Sequence, residues 1–141
     1  MLLRTLIGVI IALHGLVYLL YAGQAWRMFE LQPGMVWPDG SWAFSRLLGD
    51  AAVRSLAAVG CVLSAAGFAA GGIGLIAGAA WRCPVIIGSA VFATVLILLL
   101  WNGKAERLAD QGMMAVWINL LILAAGLITR CFDPGSPIRS F

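Results

Sequence analysis

The single histidine of this chain, His14, stands inside an apolar stretch, IALHGLVYLLYAGQAW, residues 11–26. On a helix, His14, Tyr18 and Tyr21 fall at i, i+4 and i+7 and share one face. A rise of about 1.5 Å per residue puts His14 about 13 Å from Thr5, near the middle of a bilayer. The same depth count along the other apolar runs brings Ser64, Thr94 and Asn119 to that level, with Cys61 nearer Tyr18. An imidazole, two phenols and a carboxamide donate and accept hydrogen bonds, which is binding chemistry rather than bond breaking. Facing inward, they would form a polar pocket open toward the first loop, with Asp50 and Arg54, spaced i, i+4, at its mouth.

Each of these residues has a plainer reading beside the functional one. An ionisable group within a span marks a functional site by default. A neutral His14 bonded to Asn119 or Thr94 would instead serve only to hold helices together. A metal is disfavoured, because one histidine and one cysteine are too few ligands. Asp50 and Arg54 have the simpler role of an interface pair whose long side chain snorkels to water.

No catalytic motif is present: G-x-S-x-G, H-E-x-x-H and a phosphate-binding glycine loop are all missing from the sequence. A buried thiol such as Cys61 is normally inert, and Ser64 belongs to a row of small residues. The chain reads as a binder or subunit rather than an enzyme. Cys61, Cys83 and Cys131 are odd in number and include no C-x-x-C, so no disulfide framework is expected.

The elements that must position these residues are membrane helices. Of 141 residues, 62% are hydrophobic, with nine basic and six acidic side chains and a mean hydropathy of +1.00. Four runs, 5–22, 56–80, 84–101 and 111–129, contain no Asp, Glu, Lys or Arg. Each is close to the roughly 20 apolar residues that cross a bilayer core. Continuous apolar runs lack the alternation of barrel strands. We expect an all-α integral membrane four-helix bundle, a single domain over residues 1–141. The first run is long and lacks a clean A-x-A site, so it reads as helix one rather than a cleaved signal peptide.

Residues 23–54 form a long first connection that carries Trp26, Trp37 and Trp42 with Phe29 and Phe44. Aromatic rings favour the headgroup layer, and the connection is too aromatic for disorder. It reads as an ordered flap over one end of the bundle, with Ser41 capping a helical segment that begins at Trp42 and leads into helix two. Pro84 suits the first turn of helix three. Helix two carries Ala57, Gly60, Ser64, Gly67, Gly71, Gly74 and Gly78, alternately three and four apart. Such a seam lets another backbone approach closely, whether helix one, helix four or another protomer.

The net charge of +3 does not imply nucleic acid, because the basic residues flank the spans as anchors and topology signals. Arg4, Arg82, Arg130 and Arg139 lie at one end; Arg27, Arg46, Arg54, Lys104 and Arg107 lie at the other. With the charge count nearly tied, the look of the first loop as an external cap places both termini in the cytoplasm. The expected location is a bacterial plasma membrane, with multiple passes.

The layout resembles small four-helix bacterial membrane proteins of the DoxX-like kind, some of which carry HGLIHL in helix one. Here residues 14–19 read HGLVYL, so His14 and Gly15 match while Tyr18 replaces a second histidine. The resemblance implies links to quinone-coupled sulfur oxidation or redox-stress membrane complexes. Small multidrug transporters need a glutamate within helix one, and sterol-isomerase-like enzymes need several buried acids and histidines; this chain has neither.

The leading expectation is a protein that binds a quinone or lipid around His14, or that joins a membrane complex. In it His14 and Asn119 hold the head group, Tyr18 and Tyr21 line its path, and Asp50 and Arg54 stand at the mouth. The alternatives are a quinone-linked oxidoreductase subunit with His14 as proton relay, and a structural oligomer associating through the 60–78 seam.

Overall fold

A computed structural model describes residues 2–129 and 131. Among them are four α-helices and one short 3-10 turn, with no strand: α1 Leu2–Ala25, α2 Ser45–Ala77, α3 Arg82–Leu99, the turn Ala105–Arg107, and α4 Met113–Ile128. The first three helices are long and apolar enough to cross a membrane. The fourth, at 16 residues, extends about 24 Å. The all-helical bundle expected from the four runs is the fold observed.

Each helix follows its sequence pattern. Along α1 the buried positions include Gly8, Ile11, His14, Tyr18, Tyr21 and Ala25, a stripe at helical spacing. Its other faces expose Leu6, Ile10, Leu13, Leu16 and Leu20, suited to lipid. Pro84 falls in the first turn of α3, where a missing N–H removes no helical bond.

Helix α2 begins well before residue 56, at Ser45. Residues 42–44 form a turn in which Ser41 Oγ accepts from the backbone N–H groups of Ala43 and Phe44 at 3.2 and 3.1 Å; the helix expected from Trp42 starts only at Ser45, and its N-cap residue, Phe44, makes no side-chain cap. Gly49, at φ 74° and ψ 163°, then interrupts the helix and redirects it into the span. Helix α4 starts at Met113 rather than 111 because Gly112 turns with φ 85°.

Packing follows chain order: α1 lies on α2, α2 on α3, and α3 on α4, while α1 and α4 make no backbone-level contact. The α2 seam is answered from within the chain, by α3 and its lead-in. A Cβ at Gly60, Gly71 or Gly74 would crowd Leu96, Ile86 or Trp81. A second close approach joins α1 and α2: a Cβ on Gly72 would lie 2.5 Å from the Gly8 carbonyl oxygen, and one on Gly8 2.8 Å from that of Gly72. These two glycines set the depth of α1 against α2.

The cysteines depart from expectation. Cys83 and Cys131 form a disulfide, with Cα atoms 5.2 Å apart, within the usual range for such bonds. Counting cysteines cannot reveal that antiparallel α3 and α4 bring the start of one beside the end of the other. Cys61 is free and buried.

Candidate functional site

The polar residues at mid-depth meet around Asn119. The Asn119 Oδ1 oxygen can only accept, so His14 donates to it through Nε2, at 2.9 Å. The Asn119 Nδ2 group donates to the Tyr18 hydroxyl at 2.7 Å and to Thr94 Oγ1 at 3.1 Å. Thr94 in turn donates to the Ala90 carbonyl at 2.8 Å. Asn119 is fully buried and His14 nearly so, at 0% and 6% exposure. The carboxamide of α4 thereby ties α4 to α1 and to α3.

Aromatic packing holds the imidazole in place. Phe68 from α2 meets His14 edge-on at 4.9 Å and stacks on Tyr18 at 5.6 Å. His14 and Tyr18 meet edge-on at 5.4 Å, an arrangement favoured by ring quadrupoles. Because His14 donates through Nε2, its Nδ1 is an acceptor, and Tyr18, having accepted from Asn119, keeps its own O–H hydrogen to donate. These two atoms are an acceptor and a donor that the network leaves uncommitted.

Not every candidate joins it. Ser64 returns its hydroxyl to the Gly60 carbonyl of its own helix at 2.9 Å. Tyr21 sits further along α1, its ring edge-on to Trp37 at 5.0 Å. Asp50 and Arg54 lie about 21 Å and about 15 Å along α2 from Ser64 by helical rise. The structure therefore keeps both apart from the His14 network. Asp50 is exposed and accepts from Ser45 Oγ at 3.5 Å. Among the described residues no ion pair joins it to Arg54.

The first connection does close one end of the bundle. Trp37 is completely buried, and Gln24 donates through Nε2 to the Met35 carbonyl at 3.1 Å. The last turn of α3 leaves carbonyls that need donors, and this connection supplies them. Ser41 Oγ donates to Leu99, Trp42 Nε1 to Leu98, and the Trp42 N–H to Trp101, at 2.5, 2.8 and 2.8 Å. Three buried atoms at this end, Gln24 Oε1, Trp37 Nε1 and Gln111 Oε1, have no protein partner. Gln24 and Gln111 escaped sequence reading because glutamines at the ends of apolar runs look like solvated boundary residues. The spacing from Tyr21 to Gln24 was the available signal.

Two clefts accompany these features. One, of about 270 Å³, is an apolar groove between α1 and α4 lined by Ile7, Ile10, Ile11, Ile118, Leu121, Ile122 and Ala125. It ends one turn from His14 and Asn119, since Ile11 and Ile122 each stand three residues away from them. The other, of about 240 Å³, lies between α1 and α2 and is lined by Ala25, Trp26, Arg27, Ala51, Arg54 and Ser55. Among the described residues no three His, Cys, Asp or Glu side chains gather as a metal site requires. Compared with protein-family models, curated proteins and solved structures, the chain matches none.

Proposed function

We propose that this membrane protein binds an amphipathic molecule of the quinone or lipid class. The apolar tail lies in the groove between α1 and α4, and the polar end lies against His14, Tyr18 and Asn119. One observation carries this reading: helices without backbone contact leave an apolar groove that ends one turn from a buried polar network. Pockets of this composition, mostly apolar with a few placed polar groups, are usual for small-molecule sites between bundle helices. The Tyr18 O–H would donate to a carbonyl of the head group and His14 Nδ1 would accept from a hydroxyl. Kinship with DoxX-like proteins in a bacterial plasma membrane belongs to the same proposal, resting on the helix-one motif and the layout.

A second reading has its own support. Asn119 already makes three hydrogen bonds, which suits a clasp holding α4 in place with no ligand.

Native mass spectrometry of protein extracted with its own lipids separates the two. The variants are His14→Leu and Ile122→Trp, the latter filling the groove without touching the network. Under the binding reading the wild type carries a discrete adduct and both variants lose it. If wild type and Ile122→Trp carry the same adducts, or the wild type carries none, the binding reading fails and the clasp remains.

A further inference from the structure

We infer that the cleft between α1 and α2 binds the phosphate of an anionic phospholipid, independently of the α1/α4 groove. The cleft is lined by two arginines, Arg27 and Arg54, together with Ser55 and Trp26. Trp26 is 55% exposed at the end of a span, the depth at which tryptophan marks the headgroup layer. Among the described residues no side-chain hydrogen bond or ion pair involves Arg27 or Arg54.

The arginines at the opposite end of the bundle differ. Arg4 donates to the Ile76 carbonyl at 3.3 Å, and Arg82 to the Gly78 and Ala79 carbonyls at 3.4 and 2.9 Å. There, cations serve the C-terminal carbonyls of α2, as helix dipoles favour. Arg27 and Arg54 have no such task.

Backbone geometry singles out Arg27 further. Helix α1 ends with the Met28 N–H on the Gly23 carbonyl and the Arg27 N–H on that of Gln24, at 3.0 and 2.9 Å. This paired closure places its C′ residue in the left-handed region, usually a glycine. Helix α2 closes in the same way, with Ala79 on Gly74 and Gly78 on Leu75, and there the left-handed residue is Gly78 at φ 73°. In α1 it is Arg27 at φ 60°. A strained position that glycine would fill more easily instead carries an arginine, in the wall of a cleft that a second arginine also lines. Two guanidiniums that can each offer paired N–H donors match a phosphodiester, and basic pockets between membrane helices recognise anionic head groups.

The test titrates delipidated protein in detergent with phosphatidylglycerol, phosphatidylcholine or inorganic phosphate, read by native mass spectrometry. The wild type should favour phosphatidylglycerol. That preference should fall on the order of fivefold for each of Arg27→Gln and Arg54→Gln. Arg46→Gln, an exposed arginine outside the cleft, should leave it unchanged, and unaltered circular dichroism shows that the variants fold. Equal retention of the two lipids, equal effects of all three substitutions, or saturable inorganic phosphate that displaces the lipid would each overturn the assignment.

A different observation carries a second inference: the end bearing the Cys83–Cys131 disulfide faces an oxidising compartment and the tryptophan-bearing connection faces the cytoplasm. Disulfides persist on the oxidising side of a membrane. The basic residues, five at the connection end against four at the other, are too evenly divided to oppose this orientation. This reverses the orientation expected from the capped look of the first loop. In intact cells a membrane-impermeant maleimide should label Leu2→Cys and spare Lys104→Cys. Labelling of Lys104→Cys from outside, alone or with Leu2→Cys, would overturn it.

Discussion

His14 Nε2 and Asn119 Oδ1 stand 2.9 Å apart on two helices whose backbones do not touch. Side chains rather than backbone packing therefore join α1 to α4. Interhelical hydrogen bonds in membranes average about 0.6 kcal/mol, with a maximum near 1.7, so the bond is modest by itself. Its weight comes from Asn119 serving three partners at once.

That asymmetry predicts an order of effects. Asn119→Leu, which strands His14, Tyr18 and Thr94 together, should destabilise the bundle by about 1–2 kcal/mol, and His14→Leu by about 0.6 kcal/mol. Unfolding in mixed micelles with increasing denaturing detergent measures both. Equal losses would show that the His14 bond alone carries the clasp.

The two helix closures predict opposite effects of glycine. Arg27→Gly relieves a left-handed residue and should stabilise the protein by about 1 kcal/mol. Gly78→Ala imposes one, and its Cβ would come 3.2 Å from an Arg4 guanidinium nitrogen, so it should cost about 1–2 kcal/mol. Thermal unfolding in a neutral detergent checks the pair. A destabilised Arg27→Gly would mean that the arginine side chain holds contacts within the protein that offset its backbone strain.

How much of this was legible in the sequence depended on whether one helix or two decided the outcome. Depth counting along single spans brought His14, Thr94 and Asn119 to one level, and they meet. The same count included Ser64, which bonds back to Gly60, because helical spacing cannot tell which way a hydroxyl turns. Ser41 was legible as a local turn-former, but the helix it was expected to cap starts three residues later, at Ser45 with Phe44 as its N-cap. The neighbours Arg27 and Arg54 were not legible, because the depth of α1 against α2 is fixed by the mutual approach of Gly8 and Gly72. Cys83 and Cys131 were hidden for the same reason, being 48 residues apart and joined only once α3 and α4 pair.

The disulfide should matter to stability as well as to orientation. A closed loop of this length confers up to about 4 kcal/mol in the chain-entropy estimate. Helices that remain inserted when tertiary contacts are lost leave the unfolded chain less freedom, so about 2 kcal/mol is the expected loss for Cys83→Ser with Cys131→Ser. Comparison of denaturing-detergent unfolding with and without reductant measures it. Reductant should lower wild-type stability and leave the double variant unchanged, and a reductant effect of equal size in both would exclude the bond as its source.

The contact between Gly8 and Gly72 gives the sharpest contrast. A methyl group at Gly72 meets the Gly8 carbonyl oxygen and the Ala12 backbone nitrogen at 2.5 and 3.0 Å, so α1 and α2 must separate. Overpacking of this kind costs about 1–3 kcal/mol. At Gly88 the same methyl meets nothing within 4 Å, and helix propensity alone favours alanine by up to about 1 kcal/mol. Gly72→Ala should therefore destabilise the bundle while Gly88→Ala leaves it unchanged or strengthens it. Separation of α1 from α2 also moves Arg27 away from Arg54, so Gly72→Ala should weaken retention of phosphatidylglycerol although the site of substitution lies at the far end of α2. Loss of stability with lipid retention intact would show that the cleft does not depend on how α1 is seated against α2.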